Sequence, residues 1–336
     1  MMNIGILGAG SWGIALTKLL SGNGHNVTVW SIDKDEIAML NEHREHLTKL
    51  PGVIIGDNVS FTTDVEVACK DKKILVMVVP SPFIRSTAKT IAPHVNKEQI
   101  IVNVSKGIEE STLMTLTEVI SDEIKDVEVA VLSGPSHAEE VGKGMPTTVV
   151  AGAKSRDIAE LIQDTFMSDF FRVYTSPDVV GIELGGALKN VIALAAGIAD
   201  GLGCGDNAKA AIITRGIVEI SRLGCALGGQ ESTFAGLSGI GDLIVTCASK
   251  HSRNRNAGYL MGQGKTYKEA MEEVKMVVEG VYSAKAALEL SKKMNIEMPI
   301  VEMVNKILFE DLSAKEAMTM LLTRMKTSES QDLNWN

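Results

Sequence analysis

A glycine-rich segment follows directly after the first apolar run of the chain. Residues 3–7 read NIGIL, residues 8–13 read GAGSWG, and a helical pattern covers 12–20. In a strand–turn–helix context, Gly8 permits the tight turn, Gly10 lets the backbone approach a pyrophosphate, and Gly13 allows close helix–strand packing. The start of the helix adds free N–H groups and the positive end of the helix dipole. The segment predicts a dinucleotide site, and a glycine-rich turn without a ligand is the less favoured reading.

Strands and helices alternate through the first half of the chain. Short runs rich in valine and isoleucine predict strands at 3–7, 27–30, 74–79, 100–104, 129–132 and 147–150, and helical patterns cover 12–20, 35–40 and 113–120. Nearly continuous apolar strands separated by helices predict a parallel sheet covered on both faces. We therefore expect an α/β, Rossmann-type dinucleotide-binding domain over residues 1–178.

The alternation stops after about residue 176, where only helical patterns follow. They cover 178–200, 207–227, 283–294 and 315–325. The run 185–197 (GGALKNVIALAAG) is small and apolar all round, which is typical of a buried helix. We expect an all-α substrate and catalytic domain over residues 179–336, with a polar tail at 326–336.

Charge and composition restrict the partners of the chain. The net charge is −9 and the pI about 5.3, which argues against a nucleic-acid binder. The longest run without charge, residues 1–17, contains four glycines and no basic segment, so neither a signal peptide nor stable membrane insertion is expected.

Cysteine and histidine spacings indicate neither a disulfide framework nor a metal centre. Cys69, Cys204, Cys225 and Cys247 form no CxxC pair, which favours a reducing, cytoplasmic setting. His43 and His46 are the only close histidine pair, in a stretch rich in charge. We interpret that stretch as solvated surface and predict no metal.

Asp33 is the candidate for sorting NAD from NADP. It lies twenty residues after Gly13 (33 − 13), where a carboxylate would accept the ribose hydroxyls and repel a 2′-phosphate. A helix N-cap is an equally good reading of Asp33. Lys34 beside it offers a charge for a 2′-phosphate, so the choice between NADH and NADPH stays open.

Notable residues follow three predicted strands, at the sheet edge where ligands gather in α/β folds. Phe83 ends VPSPF and would form a wall on the nicotinamide side. Lys106 follows the next strand in NVSKGIE, and Gly134 and Ser136 stand in LSGPSHA. Turn chemistry alone explains any one of these segments, whereas several at one edge favour a site.

In the helical half, Lys189 interrupts an otherwise small and apolar stretch. A buried lysine is costly unless paired, and perturbed buried groups concentrate at functional sites. The structural alternatives are an ion pair, for example with Glu183, or a side chain that reaches the surface. Asp242 ends GLSGIGD, and Ser252, Arg253 and Asn254 suit either a phosphate or a solvated loop.

The motifs together resemble one family. GAGSWG, VNVSKGIE, LSGPSHAEEV, GGALKN, GLSGIGDL, SRNRN and VVEG, spread over residues 4–280, are similar in kind and order to the bacterial NAD(P)-dependent glycerol-3-phosphate dehydrogenases. GGALKN followed by GIGDL and SRN is highly specific, while the first motif is shared by many dehydrogenases. The resemblance implies a C-terminal domain like that of 6-phosphogluconate dehydrogenase. It also implies interconversion of sn-glycerol 3-phosphate and dihydroxyacetone phosphate, mainly reduction, which supplies phospholipid synthesis.

The resemblance also implies residue roles. Lys189 would be the catalytic acid/base. The implied cofactor contacts are Ser11, Trp12, Lys106, Ala138, Arg253, Val277 and Glu279. The implied substrate contacts are Lys106, Gly134, Ser136, Lys189, Asp242, Ser252, Arg253 and Asn254. Family members often carry Arg or His just after the second strand, but this chain has Ser31, Ile32 and Asp33, so the resemblance does not fix NADPH.

Lys106 would lower the pKa of Lys189, while Asp242 would orient that lysine and raise its pKa; the sequence leaves the balance open. The partner we expect is a small phosphorylated substrate, and a homodimer is an expectation only. Two rival readings are a 3-hydroxyacid or sugar-nucleotide dehydrogenase on the same plan and a dinucleotide-sensing regulator without catalysis.

Overall fold

A computed structural model describes residues 1–329 of the protein. The end of the predicted polar tail and of the predicted second domain, residues 330–336, lies outside the described residues.

Eight strands form one sheet in the order β10-β9-β8-β7-β6-β1-β2-β5, and two more form a small antiparallel hairpin. The sheet strands are β1 (Asn3–Leu7), β2 (Asn26–Trp30), β5 (Val59–Thr62), β6 (Ile74–Met77), β7 (Ile100–Asn103), β8 (Glu128–Ser133), β9 (Thr147–Gly152) and β10 (Phe171–Ser176), and the hairpin strands are β3 (Glu45–His46) and β4 (Leu50–Ile54). All six predicted strands are present. Both edge strands, β5 and β10, were missed because only part of each faces a core.

The predicted parallel sheet is present, except that one pair of neighbouring strands is antiparallel. β9 runs antiparallel to β8, with Leu132 opposite Ala151, and every other neighbouring pair in the sheet is parallel. A parallel return needs a crossover that spans the sheet, and the connection from β8 to β9 carries only one five-residue helix. The apolar pattern of a buried strand does not encode its direction.

Seven helices cover the sheet. They are α1 (Ser11–Gly22), α2 (Lys34–His43), α3 (Val65–Cys69), α4 (Ile84–Ile91), α5 (Leu116–Glu123), α6 (Ala138–Gly142) and α7 (Arg156–Phe166). The helix predicted from residue 113 begins at Leu116, because Leu113 takes a left-handed φ of 62° and Thr115 forms the N-cap within a capping box. Alternate strand residues face opposite sides of the sheet. Ile4 and Ile6 pack in one apolar layer, and Leu7, Leu75 and Met77 in the other.

The second half is helical, as predicted. Its helices are α8 (Val179–Gly201), α9 (Gly205–Ala226), α10 (Glu231–Phe234), α11 (Asp242–Ala248), α12 (Arg253–Gly262), α13 (Tyr267–Val274), α14 (Glu279–Met294), α15 (Pro299–Phe309) and α16 (Ala314–Leu322), with a π-helical turn at Leu237–Gly241. The first helix of this half, α8, is the centre of a third apolar core. Among the described residues α8 alone is long and apolar enough to cross a membrane, and 89% of its apolar window is buried inside the protein.

Small residues bring α8 and α12 into backbone contact. A Cβ added at Gly197 would lie 2.1 Å from the carbonyl oxygen of Arg255, and one at Gly258 would lie 2.2 Å from that of Leu194. Gly201 and Gly262 meet in the same way one turn on. The glycines therefore place the start of α12 at a fixed distance from the middle of α8.

Candidate active site

The glycine-rich turn has the geometry that a dinucleotide needs. Gly8 takes a φ of 129°, and a Cβ there would lie 2.8 Å from the carbonyl oxygen of Val78; at Gly13 it would lie 2.1 Å from that of Gly8. Nothing lies within 4 Å of the Cβ position at Gly10, so this face of the turn is open. Gly10 is also the N-cap of α1 and offers no side-chain cap. The open backbone and the uncapped helix start fit a pyrophosphate.

Two of the implied cofactor contacts stand at helix starts beside this turn. Trp12 in α1 and Ala138, the first residue of α6, are both partly buried against the same core layer. Ser11 donates a hydrogen bond of 2.6 Å from its Oγ to the backbone oxygen of Lys49. This contact brings the β3–β4 hairpin over the glycine-rich turn.

The side chain of Asp33 is used as a helix cap. Its Oδ1 accepts hydrogen bonds from the backbone N–H groups of Asp35 (2.9 Å) and Glu36 (3.2 Å), and β2 has already ended at Trp30. The capping interpretation is therefore confirmed, and a ribose contact by Asp33 stays a prediction.

A buried polar cluster that the sequence reading missed lies next to the end of β2. Glu36 accepts hydrogen bonds from Ser31 (2.5 Å) and from the ammonium of Lys49, and pairs with His46 at 2.8 Å. The interpretation of His46 as solvated surface is wrong, because only 1% of its side chain is exposed. Burial opposes ionisation of Glu36, but hydrogen bonds from His46, Lys49 and Ser31 lower its pKa to about 2. The half-exposed Lys49 thus brings a positive charge next to the end of β2.

Lys189 lies in the middle of α8 and is almost fully buried, with 7% of its side chain exposed. Its Nζ donates to Oδ1 of Asp242 at 2.5 Å and to Oγ1 of Thr246 at 2.7 Å. The alternative that paired it with Glu183 is wrong, since that carboxylate binds Thr117 and Asn103 instead. Thr246 was missed by sequence reasoning, although its position one helical turn after Asp242 was the available signal.

Lys106 reaches the same carboxylate from the other half of the chain. Its Nζ donates to Oδ2 of Asp242 at 2.6 Å and to the backbone oxygen of Gly134 at 3.0 Å. The hydroxyl of Ser136 donates to that same oxygen at 3.0 Å. The structure therefore brings together Lys189, Asp242, Lys106, Gly134 and Ser136 at the carboxyl ends of β7 and β8.

Burial has the largest effect on the pKa of Lys189, and it disfavours the ammonium. Asp242 raises this pKa and Lys106 lowers it, and the outcome is a pKa of about 7. Asp242 is itself buried, but the two ammonium groups hold its pKa below the usual range. The charge of Lys189 also contributes to the lowered pKa of His137, after the larger effect of burial. The balance that the sequence left open thus favours a lysine that titrates near neutrality.

The Ser252–Arg253–Asn254 segment starts a helix and is not a solvated loop. Ser252 is the N-cap of α12, and its Oγ accepts from the backbone N–H of Arg255 at 3.2 Å. Within residues 1–329, Arg253 has no ion pair, whereas Arg255 pairs with Asp200 at 2.6 Å. The start of α12 therefore joins a free guanidinium to a helix N-terminus, which is suited to a phosphate.

The carboxamide of Asn254 is engaged inside the protein. It donates to the Oδ1 of Asn190 at 3.0 Å and accepts from the N–H of Gly280 at 2.8 Å. Asn190 follows Lys189 in α8, so this bridge ties α8, α12 and the start of α14 together. A phosphate contact by the Asn254 side chain stays a prediction.

The remaining implied cofactor contacts gather beyond β6. Glu279, the first residue of α14, accepts hydrogen bonds from the backbone N–H (3.2 Å) and the hydroxyl of Ser81. Burial raises the pKa of Glu279, and hydrogen bonds from Ser81 oppose that rise. Phe83 is in the same turn as Ser81 and half-exposed, and Val277 lies partly buried just before α14. Glu279 thus ties the start of α14 to the turn that follows β6.

Comparisons with known proteins identify this arrangement. Two family models, described as the N-terminus and the C-terminus of NAD-dependent glycerol-3-phosphate dehydrogenase, match residues 3–159 and 178–319. The chain belongs to this dehydrogenase family. The resemblance carried by the motifs is confirmed, and the rival assignments to a hydroxyacid or sugar-nucleotide dehydrogenase and to a non-catalytic regulator are set aside.

Relatives of the family match the chain over its whole length. A glycerol-3-phosphate dehydrogenase [NAD(P)+] from Agathobacter rectalis is 61% identical over 100% of both chains. One from Fusobacterium nucleatum is 57% identical over 98% of this chain and 99% of its own. The crystal structure of glycerol-3-phosphate dehydrogenase from Coxiella burnetii is 36% identical and superimposes with a TM-score of 0.93 over 96% of this chain and 99% of its own. The fold of both halves is therefore that of a glycerol-3-phosphate dehydrogenase.

Proposed function

We propose that the protein interconverts sn-glycerol 3-phosphate and dihydroxyacetone phosphate with NAD(P), mainly by reduction, and that Lys189 is its acid/base. The observation that carries the proposal is the cluster in which Lys189 and Lys106 share the two oxygens of Asp242. One lysine comes from the helical half and the other from a strand end of the sheet. A reaction centre between the two halves is thus lined by the side-chain nitrogens of Lys189 and Lys106 and by the buried carboxylate of Asp242.

The cofactor when bound supplies the hydride, and the protein must supply the proton. Reduction of the carbonyl leaves negative charge on the substrate oxygen, which needs a donor within hydrogen-bond reach. A lysine with a pKa of about 7 is protonated about half the time at neutral pH and exchanges its proton readily. Lys106 adds a second positive charge to the cluster, which would favour negative charge on a substrate oxygen bound there.

The open glycine-rich turn, with Gly8, Gly10, Ser11, Trp12 and Gly13, would hold the dinucleotide. On the nicotinamide side we place Phe83, Ala138, Val277 and Glu279. The substrate phosphate lies at the start of α12, held by Arg253 and by the helix N-terminus with Ser252 and Asn254. Energy from binding this non-reacting phosphate orients the carbonyl toward Lys189.

Replacement of Lys189 by alanine tests the proposal. We expect turnover with dihydroxyacetone phosphate to fall by about 10²- to 10⁴-fold, the range of a general acid/base, while NADH or NADPH still binds. The matched control is Lys209→Ala. Lys209 lies in α9 and pairs with Asp200 at 2.7 Å. The assay follows oxidation of the reduced nicotinamide with each cofactor in turn. Near-normal turnover of Lys189→Ala removes this lysine from the mechanism.

The domain division, the location and the assembly are proposals of the same kind. We place the boundary between residues 178 and 179, supported by the end of β10 at Ser176 and the start of α8 at Val179. A cytoplasmic location is supported by free cysteines at Cys204 and Cys225 on the surface. A homodimer is supported by α9, whose first eleven residues contain no buried side chain. Light scattering after gel filtration measures the mass, and a monomer would contradict the assembly.

A further inference from the structure

Glu183 is a buried carboxylate, 6% exposed, whose hydrogen-bond partners all lie in the other half of the chain. It stands in the second turn of α8, and its Oε1 accepts hydrogen bonds from the backbone N–H of Thr117 at 2.9 Å and from Nδ2 of Asn103 at 3.2 Å. Its Oε2 accepts from the hydroxyl of Thr117 at 2.5 Å. Thr117 is in the first turn of α5, and Asn103 is the last residue of β7. One side chain thus ties α8 to two elements of the sheet domain.

Asn103 passes this contact on to the loop that carries Lys106. Its Nδ2 also donates to the backbone oxygen of Ser105 at 3.1 Å, and its Oδ1 accepts from the N–H of Ser105 at 3.1 Å. The hydroxyl of Ser105 donates to the backbone oxygen of Val79 at 2.6 Å. The backbone just before Lys106 is therefore fixed by a side chain that Glu183 holds.

The same helix that carries Glu183 carries Lys189 six residues later. The separation between Lys189 and Lys106 is therefore set at two places: directly by Asp242, and behind the site by Glu183 through Asn103. Resting on the proposed function above, we propose that Glu183 is a positioning residue that keeps Lys106 in register with Lys189 and Asp242. It touches neither lysine, so its effect on the reaction is indirect.

Loss of the Glu183 contacts with Thr117 and Asn103 should change the pH dependence of the reductive rate. The groups that face Lys189 are Asp242, Lys106, His137 and Cys247. If Lys106 moves away, Lys189 loses a positive neighbour and keeps its carboxylate. The reductive rate falls above the pKa of Lys189, and this fall is the high-pH limb of the pH profile. With one positive neighbour fewer, Lys189 holds its proton more tightly, so its pKa rises and the high-pH limb moves to higher pH.

The decisive measurement is the pH profile of dihydroxyacetone phosphate reduction in Glu183→Ala and Glu183→Gln. We expect kcat of Glu183→Ala to fall by about 10- to 100-fold, the cost of a displacement near 1 Å, and its high-pH limb to rise by at least about 0.5 in pH. Glutamine keeps an acceptor for Thr117 and Asn103, so Glu183→Gln should retain the wild-type limb and most of kcat. Asn103→Ala leaves the Thr117 contacts intact and should move the limb in the same direction, which decides the matter if Glu183→Ala fails to fold.

The matched control is Glu219, an equally buried carboxylate away from the site. It accepts from the N–H groups of Ile300 and Val301 at the start of α15. Glu219→Ala should lower the melting temperature and leave the limb in place. A wild-type limb in Glu183→Ala and Asn103→Ala, with Lys189→Ala inactive, overturns the positioning role alone. Turnover that survives in Lys189→Ala overturns the proposed acid/base itself.

Discussion

Replacement of Asp242 by asparagine should shift the protonation of Lys189 away from the working range. Asp242 is 1% exposed and is bonded to two ammonium groups, at 2.5 and 2.6 Å. An opposite charge at such a distance changes a pKa by about 1 to 3 units. Lys189, now near 7, would therefore titrate between about 4 and 6, with Lys106 still beside it.

The change in rate follows from the protonated fraction. At pH 7 that fraction falls from about one half to between about one-tenth and one-thousandth, so the reductive rate falls about 5- to 500-fold from protonation alone. The sign reverses for glycerol 3-phosphate oxidation, where the neutral amine is the active form and the low-pH limb extends downward. Removing the carboxylate from this buried ion-pair cluster also costs about 3 to 5 kcal/mol of folding free energy.

The assay is a pair of pH profiles, one for each direction, with a thermal melt for stability. The control is Asp200→Asn, because Asp200 also binds two cations, Lys209 at 2.7 Å and Arg255 at 2.6 Å, outside the cluster. That variant should lose stability and keep both limbs. A high-pH limb of the reductive profile that stays in place or rises in Asp242→Asn would refute the electrostatic argument.

Two further predictions concern the ends of the bound ligands. Lys49→Met should raise KM for NADPH about fivefold more than KM for NADH, because it removes the cation beside Glu36 and Ser31. Initial rates measured with each cofactor varied in turn check this, and a larger effect in Lys34→Met would place the 2′-phosphate on Lys34 instead. Arg253→Ala should raise KM for dihydroxyacetone phosphate about 10- to 100-fold, with a smaller change in kcat, because a charged hydrogen-bond donor is lost. Arg255→Ala is the control. Equal KM values in the wild type and Arg253→Ala would contradict the phosphate site.

Local pattern was sufficient for the elements that are buried on both sides. The six predicted strands and the helices around Lys189 were found because apolar period and glycine spacing are properties of neighbouring residues. The direction of β9 and the edge strands β5 and β10 depend on what packs against them, which no window of sequence contains. The sequence also did not decide whether Ser252 starts a helix or lies in a loop. A serine N-cap is recognised only by its hydrogen bond, here from the N–H of Arg255.

The site shows the same division. Lys189, Lys106 and Asp242 were singled out because charge within apolar or glycine-rich segments is conspicuous. Glu36 and His46 were missed because each stands in a strongly charged stretch, and burial of both became visible only when the hairpin was placed. The partner of Lys189 was mistaken for the same reason. Glu183 was favoured because it is close in sequence, whereas Asp242 becomes a neighbour only when the chain folds.

The glycines between α8 and α12 have a consequence for which molecules the protein can reduce. Lys189 belongs to one of these helices and Arg253 begins the other, and backbone touching backbone leaves neither free to slide. The distance between Lys189 and Arg253 at the start of α12 is consequently fixed. Phosphorylated ketones whose carbonyl sits one carbon farther from the phosphate should span it badly, however well each end is recognised by itself.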